Sequence, residues 1–305
     1  MPATTTTAPP RLLVTGASGQ LGLVTLHHLL HTLLVDPQHI VVGTRAVDSD
    51  ALKTYKDQGV DVRFFDANDA VSIAAAAKGV QRALLISNRE NDDGASHALA
   101  IREFVTAGVQ HIVYTSLQAA DVSLAAIAPI HRKTEEYLKQ SGVPSYTILR
   151  NGMYFENVFP SLSVVSKTGG QWLSAAGSGK LACVSRDDTG RAAAYALASA
   201  DRVESATLTI TGPEALTIKE ITSNISEVVG KPIEVVHLSR EELALRLVEV
   251  LSLPPPVGHI FASLDATTAA GVASTVTGDY ELLTGVSPVP HREWSKASQH
   301  ILASI

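Results

Sequence analysis

The sequence predicts an α/β fold, in which a doubly wound parallel sheet is followed by a smaller α+β lobe at the C-terminal end. In the first half, short apolar runs alternate with stretches of helical periodicity, and the connections between them are short and contain glycine. In the second half this alternation is lost. Regular β-α alternation with continuous apolar strands is typical of a parallel sheet covered by helices on both faces. The ligand of such a sheet binds at the carboxyl ends of the strands.

Six apolar runs in the first half have the length and composition of buried strands. The predicted strands cover residues 12–14, 39–43, 60–65, 83–86, 111–114 and 146–149. Helical periodicity between them predicts helices over residues 21–30, 51–58, 70–77, 96–107 and 130–140. Pro37 breaks the pattern after the first helix, and Gly142 and Pro144 mark the turn before the sixth strand.

The second half is predicted to be less regular. Residues 160–189 are predicted to be rich in loops, and a helix over 190–200 with a strand over 206–210 is expected to return to the main sheet. Thr217 with Glu220 and Ser239 with Glu242 have the spacing of capping boxes, so a helix should begin at each. Residues 233–237 are predicted to form a strand, and the three prolines at 254–256 a rigid spacer.

The bulk composition excludes several classes of protein. The chain has 305 residues, a formal net charge of −6 and no run of Lys or Arg, so it lacks a phosphate-neutralising face for nucleic acid. No apolar run is long enough to cross a membrane. Cys183 is the single cysteine, which excludes an internal disulfide and favours a reducing, cytoplasmic compartment. Residues 1–10 have neither the basic nor the apolar region of a targeting signal and are predicted to be a disordered tail.

A glycine-rich turn joins the first strand to the first helix. Gly16, Gly19 and Gly22 follow the apolar run directly, and a helical pattern follows them. In a Rossmann-type fold such glycines permit a sharp turn, bring a pyrophosphate close to the backbone and let the helix pack on the strand. The amide groups and positive dipole end of the helix then face the phosphates. The predicted contacts are Gly16, Ala17, Ser18, Gly19, Gln20 and Leu21, with hydroxyls of Thr15 and Ser18 in the same cradle.

The residue after the second strand indicates which nicotinamide dinucleotide binds. An acidic residue there holds the ribose 2′-hydroxyl of NAD, whereas an arginine suits the 2′-phosphate of NADP. This chain has Arg45 at that position and no acidic residue before Asp48. The sequence therefore favours NADP(H), the alternative being a surface arginine that covers the edge of the sheet.

Several motifs resemble those of the NmrA-like atypical short-chain dehydrogenases, and among them the NADPH-dependent quinone oxidoreductase 2 type. The motifs are TGASGQLG at 15–22, LIS at 85–87, YTSL at 114–117, HRKTE at 131–135, LRNGMYFEN at 149–157, AAGSGK at 175–180 and TGPEALT at 211–217. The resemblance covers residues 12–288. It implies that NADP(H) is held by the glycine turn and by the residues Arg45, Ile86, Ser87, Asn88, Asn151, Gly152 and Glu156. Asn88 and Phe155 depart from the usual residues of the quinone reductases, which affects the substrate rather than the cofactor.

These inferences give the predicted domains. Residues 11–150 are expected to form the NADP-binding Rossmann-type domain. Residues 151–305 are expected to form mainly a substrate-binding lobe that caps the cofactor cleft, with residues 190–211 returning to the main sheet.

The chain lacks the catalytic pair of ordinary short-chain dehydrogenases. No tyrosine is followed by a lysine four residues later, and His131 and Ile127 stand at the positions of the lysine and the tyrosine. The substrate therefore either needs little acid help, as a quinone or an iminium ion does, or takes its proton from another group.

Three residues are candidates for catalysis. His131 lies on a predicted helix and could bond the nicotinamide ribose or deliver a proton, or its ring could be satisfied by the neighbouring backbone. Ser116, at the end of the fifth strand, corresponds to a substrate-orienting hydroxyl or caps the strand. Tyr154 follows the sixth strand, where its phenol reaches the substrate or packs the pocket. Phe155, Phe159 and Trp172 either line an aromatic pocket or belong to the core. His27 and His31 have metal-compatible spacing but no Cys or carboxylate completes a site, so no metal is predicted.

Three functions remain open at this level. The first is an NADPH-dependent oxidoreductase that transfers a hydride to a small planar or aromatic acceptor: a quinone, a conjugated carbonyl or an iminium ion. The second is a non-catalytic dinucleotide sensor that acts through a protein partner, which the missing Tyr-x-x-x-Lys pair favours. The third is redox-neutral chemistry on the same scaffold. The similarity to the quinone reductases favours the first, and homo-oligomerisation stays open.

Overall fold

The computed structural model describes residues 9–88, 93–199 and 205–302 of the chain. The tail predicted at 1–10 lies outside these residues except for its last two positions. None of the described helices is both long enough and apolar enough to serve as a membrane span.

Eleven strands are present in the described residues. They are β1 (Leu12–Thr15), β2 (Ile40–Thr44), β3 (Asp61–Phe64), β4 (Arg82–Leu85), β5 (His111–Leu117), β6 (Ser145–Asn151), β7 (Gln171–Ser174), β8 (Lys180–Leu181), β9 (Ala206–Ile210), β10 (Leu216–Thr217) and β11 (Glu234–His237).

Thirteen α-helices accompany the strands in the same residues. They are α1 (Gln20–His27), α2 (Asp50–Asp57), α3 (Ala70–Ala77), α4 (Ala95–Thr106), α5 (Ala128–Gln140), α6 (Phe159–Thr168), α7 (Arg186–Ala198), α8 (Ile218–Val229), α9 (Arg240–Leu251), α10 (Pro255–Ala269), α11 (Asp279–Thr284), α12 (His291–Ala297) and α13 (Gln299–Leu302).

Seven strands form the main sheet, in the order β3-β2-β1-β4-β5-β6-β9. The pairs among the first five are parallel, and Val14 lies opposite Val42 on one side and Leu84 on the other. The order reverses between β1 and β4, so the carboxyl end of β1 lies at the switch point where ligands bind in such sheets. The Rossmann-type doubly wound fold predicted from the sequence is confirmed.

The chain divides into two compact units. Within the described residues the first comprises 9–115, 133–148 and 193–207, and the second comprises 116–132, 149–192 and 208–302, each with the gaps given above. The first unit has a core of strand and helix side chains, among them Leu13, Ile73, Ile101 and Phe104, all fully buried. The boundary predicted at residue 150 stays a prediction.

The second unit contains two small sheets, one pairing β10 with β8 and one pairing β11 with β7. Two apolar clusters form its core, one around Phe155 and Ile225 and the other around Leu173 and Leu243. Both predicted capping boxes are present. The Thr217 and Ser239 side chains accept hydrogen bonds from backbone N–H groups at the start of α8 and α9, and the glutamates bond back.

Two predictions for this unit are wrong. Residues 160–189 contain the ten-residue helix α6, in which Pro160 occupies the first turn, where a missing N–H costs nothing. The proline run does not form a spacer, because Pro255 and Pro256 open the fifteen-residue helix α10. In both places the prolines mark a helix start instead of a break.

Candidate functional site

The glycine turn of the first unit has the geometry of a phosphate cradle. Gly16 has a φ of +61°, a conformation that other L-residues rarely adopt, and its carbonyl accepts from the Gly19 N–H at 2.9 Å. A Cβ at Gly22 would lie 2.5 Å from the Ala17 Cα, so only glycine lets α1 pack this closely on the turn. The backbone alone therefore requires glycine at two of the three positions.

The same turn fits an anionic group. The cap residue of α1 is Gly19, no side chain caps the helix, and its first turn contains no acidic residue. The first N–H groups of a helix have no acceptor within it and carry the positive end of its dipole. Gly16, Gly19 and Gln20 are exposed, Ser18 is half-buried, and the side chains of Ala17 and Leu21 are buried. These residues fit the pyrophosphate of a dinucleotide.

The segment that carries Arg45 is tied to the glycine turn. The Ser18 and Thr44 hydroxyls lie 2.9 Å apart, and the Ala46 N–H donates to the Thr44 hydroxyl at 3.0 Å. Arg45 is exposed between these two residues, directly after β2. The contact thus places the predicted 2′-phosphate residue on the segment that adjoins the phosphate cradle.

The residues after β4 line the same edge. Thr15 donates to the Leu84 carbonyl at 3.0 Å and accepts from the Ile86 N–H at 3.1 Å. The Thr15 hydroxyl, expected in the cradle, thus joins two strands instead. A Cβ on Gly16 would lie 3.7 Å from the Ile86 Cβ, so the two segments are in contact. The Ser87 N–H donates to the Thr115 hydroxyl at 2.9 Å.

A buried histidine that the sequence reasoning missed holds Asn88. The Asn88 N–H donates to Nε2 of His97 at 3.2 Å, and the Asn88 amide donates to Ser96 at 3.1 Å. Because Nε2 accepts, the proton of the neutral ring lies on Nδ1, which donates to the Thr134 hydroxyl at 2.9 Å. The helix α4 thereby fixes the segment 86–88.

The second unit carries the three catalytic candidates and the remaining predicted cofactor residues. Ser116 lies in β5, which extends to Leu117, and His131 lies in the first half of α5; both side chains are buried. Asn151 ends β6 and its carbonyl accepts from the Gln118 N–H at 2.9 Å. Tyr154 follows in the loop.

Close packing explains Gly152. Its N–H donates to the Ile210 carbonyl at 2.8 Å. A Cβ here would lie 2.5 Å from the Ala182 carbonyl oxygen, so a larger residue would displace the backbone. Gly152 therefore allows the chain after β6 to approach its neighbours.

Asn151 has a polar atom that requires a partner. Its Nδ2 donates to the Tyr154 phenol at 3.2 Å. The side chain is buried, and Oδ1 has no hydrogen-bond partner among the described residues. An orphaned buried acceptor is rare in native proteins, and a bound group that donates a hydrogen bond would satisfy it.

Tyr154 and Arg186 form a pair in this unit. The guanidinium carbon of Arg186 lies 5.5 Å from the centre of the Tyr154 ring, within the range of a cation–π contact. Burial raises the pKa of Tyr154; the Asn151 hydrogen bond and the Arg186 charge oppose this rise, and the Glu156 charge adds to it. The sequence reasoning missed Arg186. The feature of the sequence that pointed to Arg186 is a positive charge in the first turn of α7, where the positive end of the helix dipole disfavours a cation.

Glu156 fixes the loop that carries Tyr154. Its two carboxylate oxygens accept from the Arg186 backbone N–H at 3.2 and 3.0 Å. Burial raises the pKa of Glu156, and hydrogen bonds to the carboxylate together with the Arg186 charge oppose the rise. The structure thus directly supports a role of Glu156 in orienting the loop, and its predicted contact with the cofactor stays a prediction.

The aromatic residues near this loop pack in the core of the second unit. Phe155 and Trp172 are buried members of one apolar cluster, and Phe159 packs against it. No group of three or more His, Cys, Asp or Glu side chains that could hold a metal ion occurs in the part of the chain that the structure describes.

Known proteins share both the sequence and the fold. The chain is 33% identical over 259 residues to quinone oxidoreductase 2 of Escherichia coli, an alignment that covers 85% of this chain and 88% of the relative. The crystal structure of an E. coli NADPH-dependent quinone oxidoreductase with NADPH superimposes with a TM-score of 0.85, at 30% identity, and covers 94% of this chain and 99% of the other. The structure of Citrobacter triphenylmethane reductase with NADP(H) gives a TM-score of 0.81, at 30% identity and the same coverage.

The family model for NmrA-like proteins matches residues 9–275. This range includes the glycine turn, the segments after β2 and β4, and the loop after β6. The chain belongs to the NmrA-like family.

Proposed function

We propose that this protein is an NADPH-dependent oxidoreductase that transfers a hydride to a small electrophilic acceptor. The observation that carries the proposal is the glycine turn, in which the left-handed Gly16 and the tightly packed Gly22 form an uncapped phosphate cradle beside Arg45. The related quinone oxidoreductase and triphenylmethane reductase structures contain NADPH or NADP(H).

The cofactor would be held mainly by the backbone of the first unit. In this proposal the amides of residues 16–21 bind the pyrophosphate, Arg45 binds the 2′-phosphate, and Ile86, Ser87 and Asn88 contact the nicotinamide half. Asn151 offers its orphaned Oδ1 to a donor of the cofactor. Gly152 and Glu156 shape the loop that carries Asn151 and Tyr154. When bound, NADPH supplies the hydride.

The protein's own contribution would be to orient the acceptor, exclude water and provide a proton. His131, Ser116 and Tyr154 are the proposed catalytic residues. The acceptor class is a quinone, a conjugated carbonyl or an iminium ion, all flat electrophiles. The names of two similar proteins, a quinone oxidoreductase and a triphenylmethane reductase, support flat conjugated acceptors. We further propose a cytoplasmic location, in line with the single cysteine. The proposal leaves homo-oligomerisation open.

The sensor alternative has less support. It rested on the missing Tyr-x-x-x-Lys pair, and the similar proteins are named as reductases and oxidoreductases. The cleanest test combines binding and turnover. Calorimetry should detect NADPH binding, and NADPH oxidation should be seen with at least one member of a panel of quinones, enals and cyclic imines. Tight binding with no turnover across the panel would favour the sensor, and no binding would refute both functions.

Replacing His131 by alanine should lower turnover by roughly tenfold or more, because a lost bond to the nicotinamide ribose would misplace the hydride donor. The melting temperature should change little in comparison. Steady-state rates and thermal unfolding of the same preparation separate the two effects. A variant that melts earlier but keeps its rate would show that the His131 ring only supports the helix.

A further inference from the structure

We propose that Tyr154 delivers the proton to the reduced acceptor, and that Arg186 and Asn151 activate its phenol in place of the lysine of a Tyr-x-x-x-Lys pair. The inference rests on the proposed function, since it assigns the proton donor of that reaction. All three residues belong to the second unit.

The hydrogen bonds leave the phenol proton available. The Asn151 amide donates to the Tyr154 oxygen at 3.2 Å, and the phenol finds no acceptor of its own among the described residues. A phenol that accepts one hydrogen bond and donates none can give its proton to a substrate oxygen. The same amide stabilises the phenolate that is left behind, since hydrogen bonds to a charged form favour it.

The charge of Arg186 acts on the same ring. Its guanidinium carbon lies 5.5 Å from the ring centre, and its charge also acts on the Glu156 carboxylate. Glu156, the acidic group beside it, binds the Arg186 backbone N–H instead of the guanidinium. The Glu156 contact thus fixes the backbone that carries Arg186, and the charges of both residues act on Tyr154.

The two charges near the Tyr154 ring, on Arg186 and Glu156, have opposite signs. They therefore shift the pKa of the phenol in opposite directions. Arg186 favours the phenolate, and the nearby Glu156 carboxylate disfavours it. Removing the cation should raise the pKa of Tyr154, whereas neutralising the carboxylate should lower it. A residue that only packed the loop would give neither shift.

The proposed step is balanced. Hydride addition to a conjugated carbonyl gives an enolate; the O–H bond of Tyr154 breaks, an O–H bond forms on the substrate oxygen, and water reprotonates the phenolate. A cationic triphenylmethane dye needs no proton, because a hydride converts the carbocation directly into the neutral leuco dye. The two acceptors thus separate proton delivery from hydride transfer.

The first experiment compares turnover of a conjugated carbonyl and of a cationic triphenylmethane dye. Y154F should lower kcat for the conjugated carbonyl by about 100-fold, a usual contribution of a general acid, and R186M by about tenfold, because the phenol becomes a weaker acid. Turnover of the dye should fall far less than turnover of the conjugated carbonyl, and R186K should recover most of the conjugated-carbonyl rate. R246M, which removes an exposed arginine of α9, is the matched control.

The second experiment does not depend on turnover. NMR of the apo protein with ¹³Cζ-labelled tyrosine, with the Y154F spectrum as the assignment, follows the Tyr154 phenol through a pH titration. R186M should raise its pKa relative to the wild type, R186K much less, and E156Q should lower it.

The outcomes distinguish a failure of the proposed function from a failure of the inference about Tyr154. A wild-type protein that binds NADPH but reduces neither acceptor would contradict the proposed function. A wild-type protein that reduces them, with equal losses for both acceptors in Y154F, would overturn the inference alone. A Tyr154 titration that R186M and E156Q leave unchanged would overturn it as well.

Discussion

Replacing Arg45 by aspartate should weaken NADPH binding by about 100-fold and leave NADH binding almost unchanged. Arg45 is exposed directly after β2, on a segment joined to the glycine turn through Ser18 and Thr44. Hydrogen bonds to charged groups contribute about 1.5–3 kcal/mol, and the aspartate adds repulsion toward the 2′-phosphate. NADH has no phosphate there, so it loses no such contact.

The measurement is a calorimetric titration of each dinucleotide into wild type, R45D and R45Q. The glutamine variant should give an intermediate loss for NADPH, because it removes the attraction without adding repulsion. R102D, which reverses an exposed charge on α4 of the same unit, is the control and should bind both dinucleotides normally. Equal losses for NADPH and NADH in R45D would contradict the phosphate role and indicate a general effect on the turn.

Acid should destabilise the protein through His291 by about 2–3 kcal/mol between pH 7 and pH 4.5. His291 begins α12 and is almost completely buried, with Phe155 4.9 Å from its ring centre. Nδ1 lies 3.1 Å from the Asn224 amide nitrogen, while Nε2 is buried without a hydrogen-bond partner in the described residues. Burial of this ring lowers the pKa of His291 from 6.5 to about 4.

The direction follows from proton linkage. Between pH 6.5 and about 4 the unfolded chain has His291 protonated and the folded chain has it neutral, so the unfolded state binds more protons. The stability that the neutral ring contributes is therefore complete above pH 6.5 and is lost as the pH falls toward 4. Each unit of pH in this window removes up to about 1.4 kcal/mol.

Urea unfolding of wild type and H291Q at several pH values tests this. The free energy of unfolding of the variant should be lower than that of the wild type at pH 7, and this difference should decrease as the pH falls. Taking the difference removes contributions that both proteins share, such as the raised pKa of Asp265. H300Q, which changes an exposed histidine of α13, should keep the wild-type pH dependence. A difference in the free energy of unfolding that stays constant between pH 7 and 4.5 would contradict a neutral buried His291.

Local patterns in the sequence were enough to predict the main sheet and the glycine turn after β1. The strands of the first half are continuous apolar runs, and Gly16 and Gly22 occupy positions that the backbone restricts to glycine. The two capping boxes were predictable for the same reason, since each connects residues only three positions apart. The proline errors at α6 and α10 arose because a proline is equally compatible with a helix start and a break.

The sequence by itself thus determined the Rossmann-type fold, the glycine turn and the family to which its motifs point, because each depends on residues that are close along the chain. Only the tertiary structure decided that Arg186 lies over Tyr154, that Asn151 keeps an unpaired buried oxygen, and that His291 packs against Phe155. These contacts join residues from separate elements or depend on burial, and burial in turn sets the protonation of the groups. No spacing rule encodes them, because the packing of the whole unit brings the partners together.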